Sequence, residues 1–332
     1  MLPEVAVQSP TEDRNPATAE IDTKDSLAVL QLLNQQDRQV AAAVSTVLPA
    51  LAPLVDIAVQ RISAGGRVHY FGAGTSGRLA VLDAAELLPT FNAPADWFVA
   101  HHAGGAAALI RAAENVEDDE RSGAADAADT GPGDVVIGLT ASGRTPYVAG
   151  ALRAAADNGA VTALVTSHPH PDITGVDVLL AVPTGPEAIT GSTRLKAGTA
   201  QKLVLNGFST AVMIGLGRTY SNLMVDMRAT NAKLRGRTVR ILREATGADE
   251  QTARAHIEAA DGELKTALVS VIGSVSAADA RAALAATGGV VRRALAVLPT
   301  AVHPSPAGGS GSTSAPSATV PPSAPRSQGE LP

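Results

Sequence analysis

The 332-residue sequence contains no cysteine. That absence excludes a disulfide framework, a thiolate nucleophile, a cysteine-type zinc site and an iron–sulfur cluster. Aromatic residues are scarce, with one Trp, three Tyr and four Phe. So few rings argue against a base-stacking platform for single-stranded nucleic acid. Positive charge is not in excess either. Lys and Arg number 26 against 32 Asp and Glu, for a net charge of −6. This is the wrong sign for a general nucleic-acid binder. No apolar run reaches about 18 residues, so no membrane span is expected. Met1-Leu2-Pro3-Glu4 has no basic flank before an apolar stretch. A cytoplasmic location is the expectation that follows.

The chain is long enough for one large domain or two ordinary ones. From Pro299 to Pro332, 19 of 34 residues are Pro, Ser or Gly. Such a segment buries too little apolar surface to offset its ordering entropy and reads as a disordered tail, 299–332. Residues 1–10 read as a loose lead-in. Between them, helices are expected at 26–34 and 37–64, with Pro49 and Pro53 as breaks or kinks. Short β-branched or apolar runs at 67–71, 96–100, 134–139, 161–166 and 177–182 predict strands. Helices are expected between them at 76–88, 106–114, 118–128 and 146–158. The alternation predicts an α/β fold, a five-stranded parallel doubly wound sheet with flavodoxin-like winding. Further helices are expected at 195–216 and 223–234. Four short ones follow, at 249–260, 264–272, 277–286 and 290–298. The domain reading is therefore 11–247 for the sheet domain with its N-terminal helices, and 248–298 for a small helical bundle.

Ligands in doubly wound sheets bind at the carboxyl ends of the strands, near the switch point. Three loops there carry chemistry. Gly72-Ala73-Gly74-Thr75-Ser76-Gly77-Arg78 follows the first strand and opens a helix. It fails the dinucleotide fingerprint in its glycine spacing, and no acidic residue ends the second strand. Hydroxyls of Thr75 and Ser76 at a helix N-terminus instead suit a phosphate monoester. The plain alternative is a tight turn that needs glycine. Ala141-Ser142-Gly143-Arg144-Thr145-Pro146 repeats the arrangement after the third strand, with Ser142, Arg144 and Thr145 as candidate ligands. Two such loops on neighbouring strands reinforce each other and point to a phosphosugar. No Gly-x-x-x-x-Gly-Lys-Ser/Thr motif is present, which argues against nucleoside triphosphate chemistry. The third stretch, Thr190 to Lys202, offers Ser192, Thr193 and Lys196; N-capping by Ser192 or Thr193 is the plainer alternative. Glu86 stands on an otherwise apolar helix and is a candidate general acid; the alternative is a helix-end Glu facing solvent. Glu117 lies in a run of acids that spacing cannot tell apart, and such a run is usually a solvated face. The seven His show no metal-ligand spacing, and His101, His102, His168 and His170 read as solvated loop residues. No metal and no cofactor are expected.

These blocks resemble the N-acetylmuramic acid 6-phosphate etherase family, within the sugar-isomerase-domain superfamily. The resemblance rests on Thr11-Glu12-x-Arg14-Asn15, Gly72 to Leu79, Leu82-Asp83-Ala84-x-Glu86, Ala141 to Tyr147, Gly191 to Lys202 and Asn222-Leu223-Met224-Val225-Asp226. It covers about 11–247 and loosens toward 298. One departure is Leu87-Leu88-Pro89, where the family usually has Cys-Pro-Pro. The resemblance implies a lyase that cleaves the D-lactyl ether of N-acetylmuramate 6-phosphate. It implies Glu86 as proton donor, Glu117 as second catalytic carboxylate, and a homodimer with sites near the subunit interface. Two alternatives share the fold: a non-catalytic phosphosugar-binding regulator and an aldose–ketose isomerase. Both carboxylates favour the etherase over the regulator, and the Gly191–Lys202 block favours it over the isomerase.

Overall fold

In the computed structural model, which describes residues 9–111, 113, 115–227 and 232–299, two helices precede the sheet. They are α1 (Ser26–Ser45) and α2 (Leu48–Ser63). Their break is not near residue 35, as expected, but at Thr46 and Val47. Gln35 and Gln36 favour helix, and Gln36 is buried mid-helix. Pro49 sits in the first turn of α2, where its missing N–H costs nothing, and so starts a helix rather than kinking one. Pro53 is accommodated inside α2.

The chain then alternates as β1 (Val68–Gly72), α3 (Gly74–Phe91), β2 (Phe98–His102), α4 (Gly105–Ile110), α5 (Glu120–Asp126), β3 (Val135–Leu139), α6 (Pro146–Asp157), β4 (Val161–Thr166) and β5 (Val178–Ala181). The five strands are all parallel in the order β2-β1-β3-β4-β5. This is the expected doubly wound sheet, with its switch point between β1 and β3. One face is covered by α1, α2, α3 and α7 (Lys196–Gly215), whose apolar residues cluster with Tyr70, Phe98 and Phe208. The other is covered by α6, with Phe71 and Tyr147 in its core.

Three sequence expectations need correction. Strand β2 runs two residues further on than 96–100, because Trp97 closes a turn on Pro94 first. His101 and His102 are therefore strand residues, not solvated loop ones. His102 is buried, and the His101 ring stacks on Phe71 at 4.2 Å. The helix expected at 223–234 is instead β7 (Leu223–Met224), paired antiparallel with β6 (Thr219–Tyr220). Ser221, with φ of +53°, turns the chain between them. Helices α4 and α5 are shorter than read, since Asp119 caps α5 at the Ser122 amide instead of joining it.

Helices α8 (Ala232–Thr246), α9 (Glu250–Ala259), α10 (Leu264–Gly273), α11 (Ala277–Ala286) and α12 (Val291–Val297) follow. Their apolar cluster runs from Val225 to Ala294 and so draws on residues either side of Gly247. Residues 1–8 of the lead-in and 300–332 of the tail lie outside the described residues. Among the described residues no single helix is long and apolar enough to cross a membrane.

Small residues let the outer layer close up. A Cβ on Gly123 of α5 would stand 1.9 Å from the Tyr147 carbonyl oxygen, and one on Gly150 of α6 2.0 Å from that of Glu120. Gly150→Ala is therefore expected to lower stability by about 2–3 kcal/mol, read from chemical denaturation. The buried His69 on β1 supplies a pH prediction. Burial, with His101 at 3.1 Å, lowers its pKa to about 4 against Asp134, which opposes the shift. The unfolded chain binds that proton near pH 6.5 and the folded chain only near 4. This contribution to stability is thus present above about 6.5 and lost as pH falls toward 4. The melting temperature of His69→Leu should depend less on pH across that window than that of the parent protein.

Candidate active site

Two helices begin where β1 and β3 end, on opposite faces of the sheet, and neither has a side-chain cap. The N-cap of α3 is Ala73 and that of α6 is Thr145, whose side chain makes no cap hydrogen bond. The first-turn amides of α3 are left for an anion, whereas in α6 Pro146 has no N–H and the Tyr147 amide is taken by the Glu117 carbonyl; both helix dipoles favour negative charge there. In the first loop, Gly74 has φ of +55°, and Gly72 and Gly77 touch closely enough that a Cβ on either would strike the other's backbone. That close approach turns Thr75 and Ser76 into the first turn of α3. Arg78 of the same motif points elsewhere: its guanidinium donates to the Ala108 and Leu109 carbonyls at the end of α4.

In the second loop, the buried Thr140 hydroxyl organises the others. Its Oγ1 lies 2.7 Å from Thr145 Oγ1 and 3.3 Å from Ser142 Oγ. The Arg144 amide donates to Ser142 Oγ at 3.4 Å, and Arg144 Nε lies 4.0 Å from Asp172. Ser142, Arg144 and Thr145 are thus gathered at the start of α6.

The third loop is held from an unforeseen direction. Ser192 and Thr193 do not cap α7, contrary to the plainer reading. Glu187 does so: its two oxygens accept from the Lys196 and Ala197 amides at 2.9 Å each. Glu187 is fully buried, which pushes its carboxyl up, while those two amides and Lys196 pull the other way. Lys196 is 2% exposed, and its Nζ donates to Gln36 Oε1 at 3.2 Å. Burial lowers its pKa and Glu187 opposes this. Gln36 in turn accepts from Asn15 Nδ2 at 2.8 Å, and the Gly191 amide donates to the Thr11 carbonyl. The segment from Thr11 to Asn15 is therefore a brace for this loop. Nothing in its residue types signals that role; only the resemblance marked it. Gly198 stands with its missing Cβ 3.4 Å from the Thr75 methyl and 3.3 Å from the Thr193 carbonyl, which brings the third loop against the first.

The two carboxylates sit differently. The Glu117 carbonyl accepts from the Tyr147 amide at 3.0 Å, two residues beyond Thr145. This ties the Glu117 backbone to the start of α6, and its side chain is exposed. Glu86 is also exposed, but it lies twelve residues into α3, about 18 Å along the axis from Gly74. It lines a groove between α3 and α7 with Asp83 and Lys202. A cleft of about 910 Å³ lies elsewhere, between Asn92 after α3 and the C-terminal helices. Among the described residues no cluster of His, Asp and Glu is arranged to hold a metal ion.

A family model described as the glucokinase regulatory protein N-terminal SIS domain matches residues 50–156. A phosphoheptose isomerase from Francisella tularensis is similar over 57% of this chain and all of its own, at 19% identity and a TM-score of 0.45. Relatives by sequence are much nearer. The N-acetylmuramic acid 6-phosphate etherase of Thermobifida fusca (strain YX) is 58% identical over 80% of this chain and 88% of its own. That of Pectobacterium atrosepticum is 50% identical over 86% and 95%. With identity this high over most of both chains, and with the phosphate-type loops of a doubly wound sheet in place, the chain belongs to the N-acetylmuramic acid 6-phosphate etherase family.

Proposed function

We propose that this protein cleaves the D-lactyl ether of N-acetylmuramate 6-phosphate, releasing D-lactate and N-acetylglucosamine 6-phosphate. The observation that carries the reading is the uncapped N-terminus of α3 at the β1–β3 switch point, with the hydroxyl cluster of Thr140, Ser142 and Thr145 at the end of the neighbouring strand β3. In this reading Thr75, Ser76, Ser142, Arg144, Thr145, Ser192 and Thr193 hold the 6-phosphate. Lys196 adds its charge from behind the first turn of α7. A fixed phosphate orients the ring-opened sugar and so lowers the barrier.

The chemistry then needs acid–base groups. Ring opening places an aldehyde at C1 and acidifies the C2 proton. Glu117, beside the second loop, removes it. The C2–H electrons form the C2–C3 double bond, and the C3–O bond breaks as Glu86 protonates the departing oxygen. Water then adds at C3 of the unsaturated aldehyde. Each of these proton transfers is of the kind that contributes about 10²- to 10⁴-fold.

Glu86 stands too far along α3 to serve the loop of its own chain. Side chains of a helix lean toward its N-terminus, but not by three turns. A homodimer resolves this, because an antiparallel α3 pair would set Glu86 of one protomer beside the first loop of the other. Leu82 and Leu88, both about half exposed, flank Glu86 and supply apolar surface for such a contact. The reaction would run in the cytoplasm.

The match to a regulatory protein's domain keeps a second reading in view, a phosphosugar-binding regulator without catalysis. Incubation with N-acetylmuramate 6-phosphate and an enzymatic D-lactate assay separates the two. The etherase reading expects stoichiometric D-lactate; folded protein that binds the sugar and releases none would favour the regulator. Glu86→Gln should keep its fold and phosphosugar binding and lose at least about 10²-fold in kcat. A dimer with Glu86→Gln in one protomer and Ser142→Ala/Thr145→Ala in its partner should regain about half the parental activity, since two-fold symmetry leaves one intact site of two. If each site were built from a single chain, that mixed dimer would stay as inactive as its parents.

A further inference from the structure

The groove beside Glu86 contains a cation that the proposed mechanism does not use. Leu79, Leu82, Asp83 and Glu86 of α3 face Lys202 and Asn206 of α7 across about 180 Å³. Asp83 is locked in place: one oxygen accepts from the Tyr70 hydroxyl at 3.1 Å, the other from Ser209 at 3.0 Å. Burial raises its pKa, and Ser209, Tyr70 and the charge of Lys202 oppose that rise. Lys202 feels this fixed carboxylate but forms no hydrogen bond or ion pair with any described residue, and it is exposed. It is the one cation among the described residues that line the groove with Glu86.

The leaving group explains why a cation belongs there. The ether oxygen that Glu86 must protonate is only two bonds from the carboxylate carbon of the lactyl group. Whatever binds that carboxylate must therefore border Glu86. An uncompensated carboxylate approaching Asp83 would be repelled, whereas Lys202 offers charge-assisted hydrogen bonds. Leu79 and Leu82 supply an apolar wall for the lactyl methyl group.

We infer that Lys202 binds the carboxylate of the substrate's lactyl group and so makes the enzyme selective for 3-O-carboxyalkyl sugar phosphates. This rests on the etherase reading above. Lys202 moves no proton: Glu86 gives its proton to the ether oxygen, the C3–O electron pair stays on that oxygen, and lactate leaves with its carboxylate still on Lys202.

The test compares two sugars by calorimetry in the Glu86→Gln background, where binding proceeds without turnover. With Lys202 present, N-acetylmuramate 6-phosphate should bind more tightly than N-acetylglucosamine 6-phosphate. Adding Lys202→Met should erase about 10- to 100-fold of that preference while leaving affinity for N-acetylglucosamine 6-phosphate unchanged, which also shows that the variant folds. In the active enzyme, Lys202→Met should raise KM by a similar factor, with partial rescue by Lys202→Arg. An unchanged preference would overturn the inference, and so would an equal loss for both sugars, which would assign Lys202 to the phosphate. Failure of the etherase reading itself would show separately, as absence of D-lactate from the parent enzyme.

Discussion

Strands β1 and β3 lie hydrogen-bonded from Val68–Val135 to Gly72–Leu139, and the chain leaves them toward opposite faces of the sheet. The candidate site depends on this one parallel pairing. It places the N-termini of α3 and α6 at one edge of the sheet, where their dipoles converge and the early amides of α3 have no side-chain cap. Hydroxyl side chains, not lysines, fill the gap. Lys196 of the third loop is turned inward to Gln36. A chain with a net charge of −6 thus binds an anion, in the proposed reading, largely through oriented backbone and a few hydroxyls.

The pairing also separates two tasks in space. In the proposed reading, phosphate recognition sits at the helix starts, and proton donation and recognition of the lactyl carboxylate sit further along α3 and α7, on a groove that includes exposed Leu82. Glu117 is tied to the start of α6 by its backbone carbonyl. The two carboxylates stand at different heights of the fold, and the proposed two-fold association would unite them.

Much of this was legible in residue order. Strand-like runs alternating with helices specify the parallel sheet, and glycines after β1 and β3 mark the places where backbone must approach backbone. What escaped has a common cause. The cap on α7 comes from Glu187, eight residues before the N-cap Leu195, and the partner of Lys196 comes from α1. Local spacing carries no signal for such contacts. The same holds for half-buried His101 and buried His102, whose surroundings follow from the register of β2 on β1 rather than from their neighbours in sequence. Local chemistry did mislead at Pro49, which reads as a breaker in isolation and as a helix start once Val47 is the N-cap.

The central claim is that the ether is cleaved by elimination at C2–C3 followed by hydration. The most direct measurement is turnover of N-acetylmuramate 6-phosphate in doubly labelled water, with ²H and ¹⁸O located in each product by mass spectrometry. Elimination and hydration predict ²H at C2 and ¹⁸O on C3 of N-acetylglucosamine 6-phosphate, and no ¹⁸O in D-lactate, which keeps the original ether oxygen. Label in the lactate, or unlabelled C2 and C3, would contradict the account.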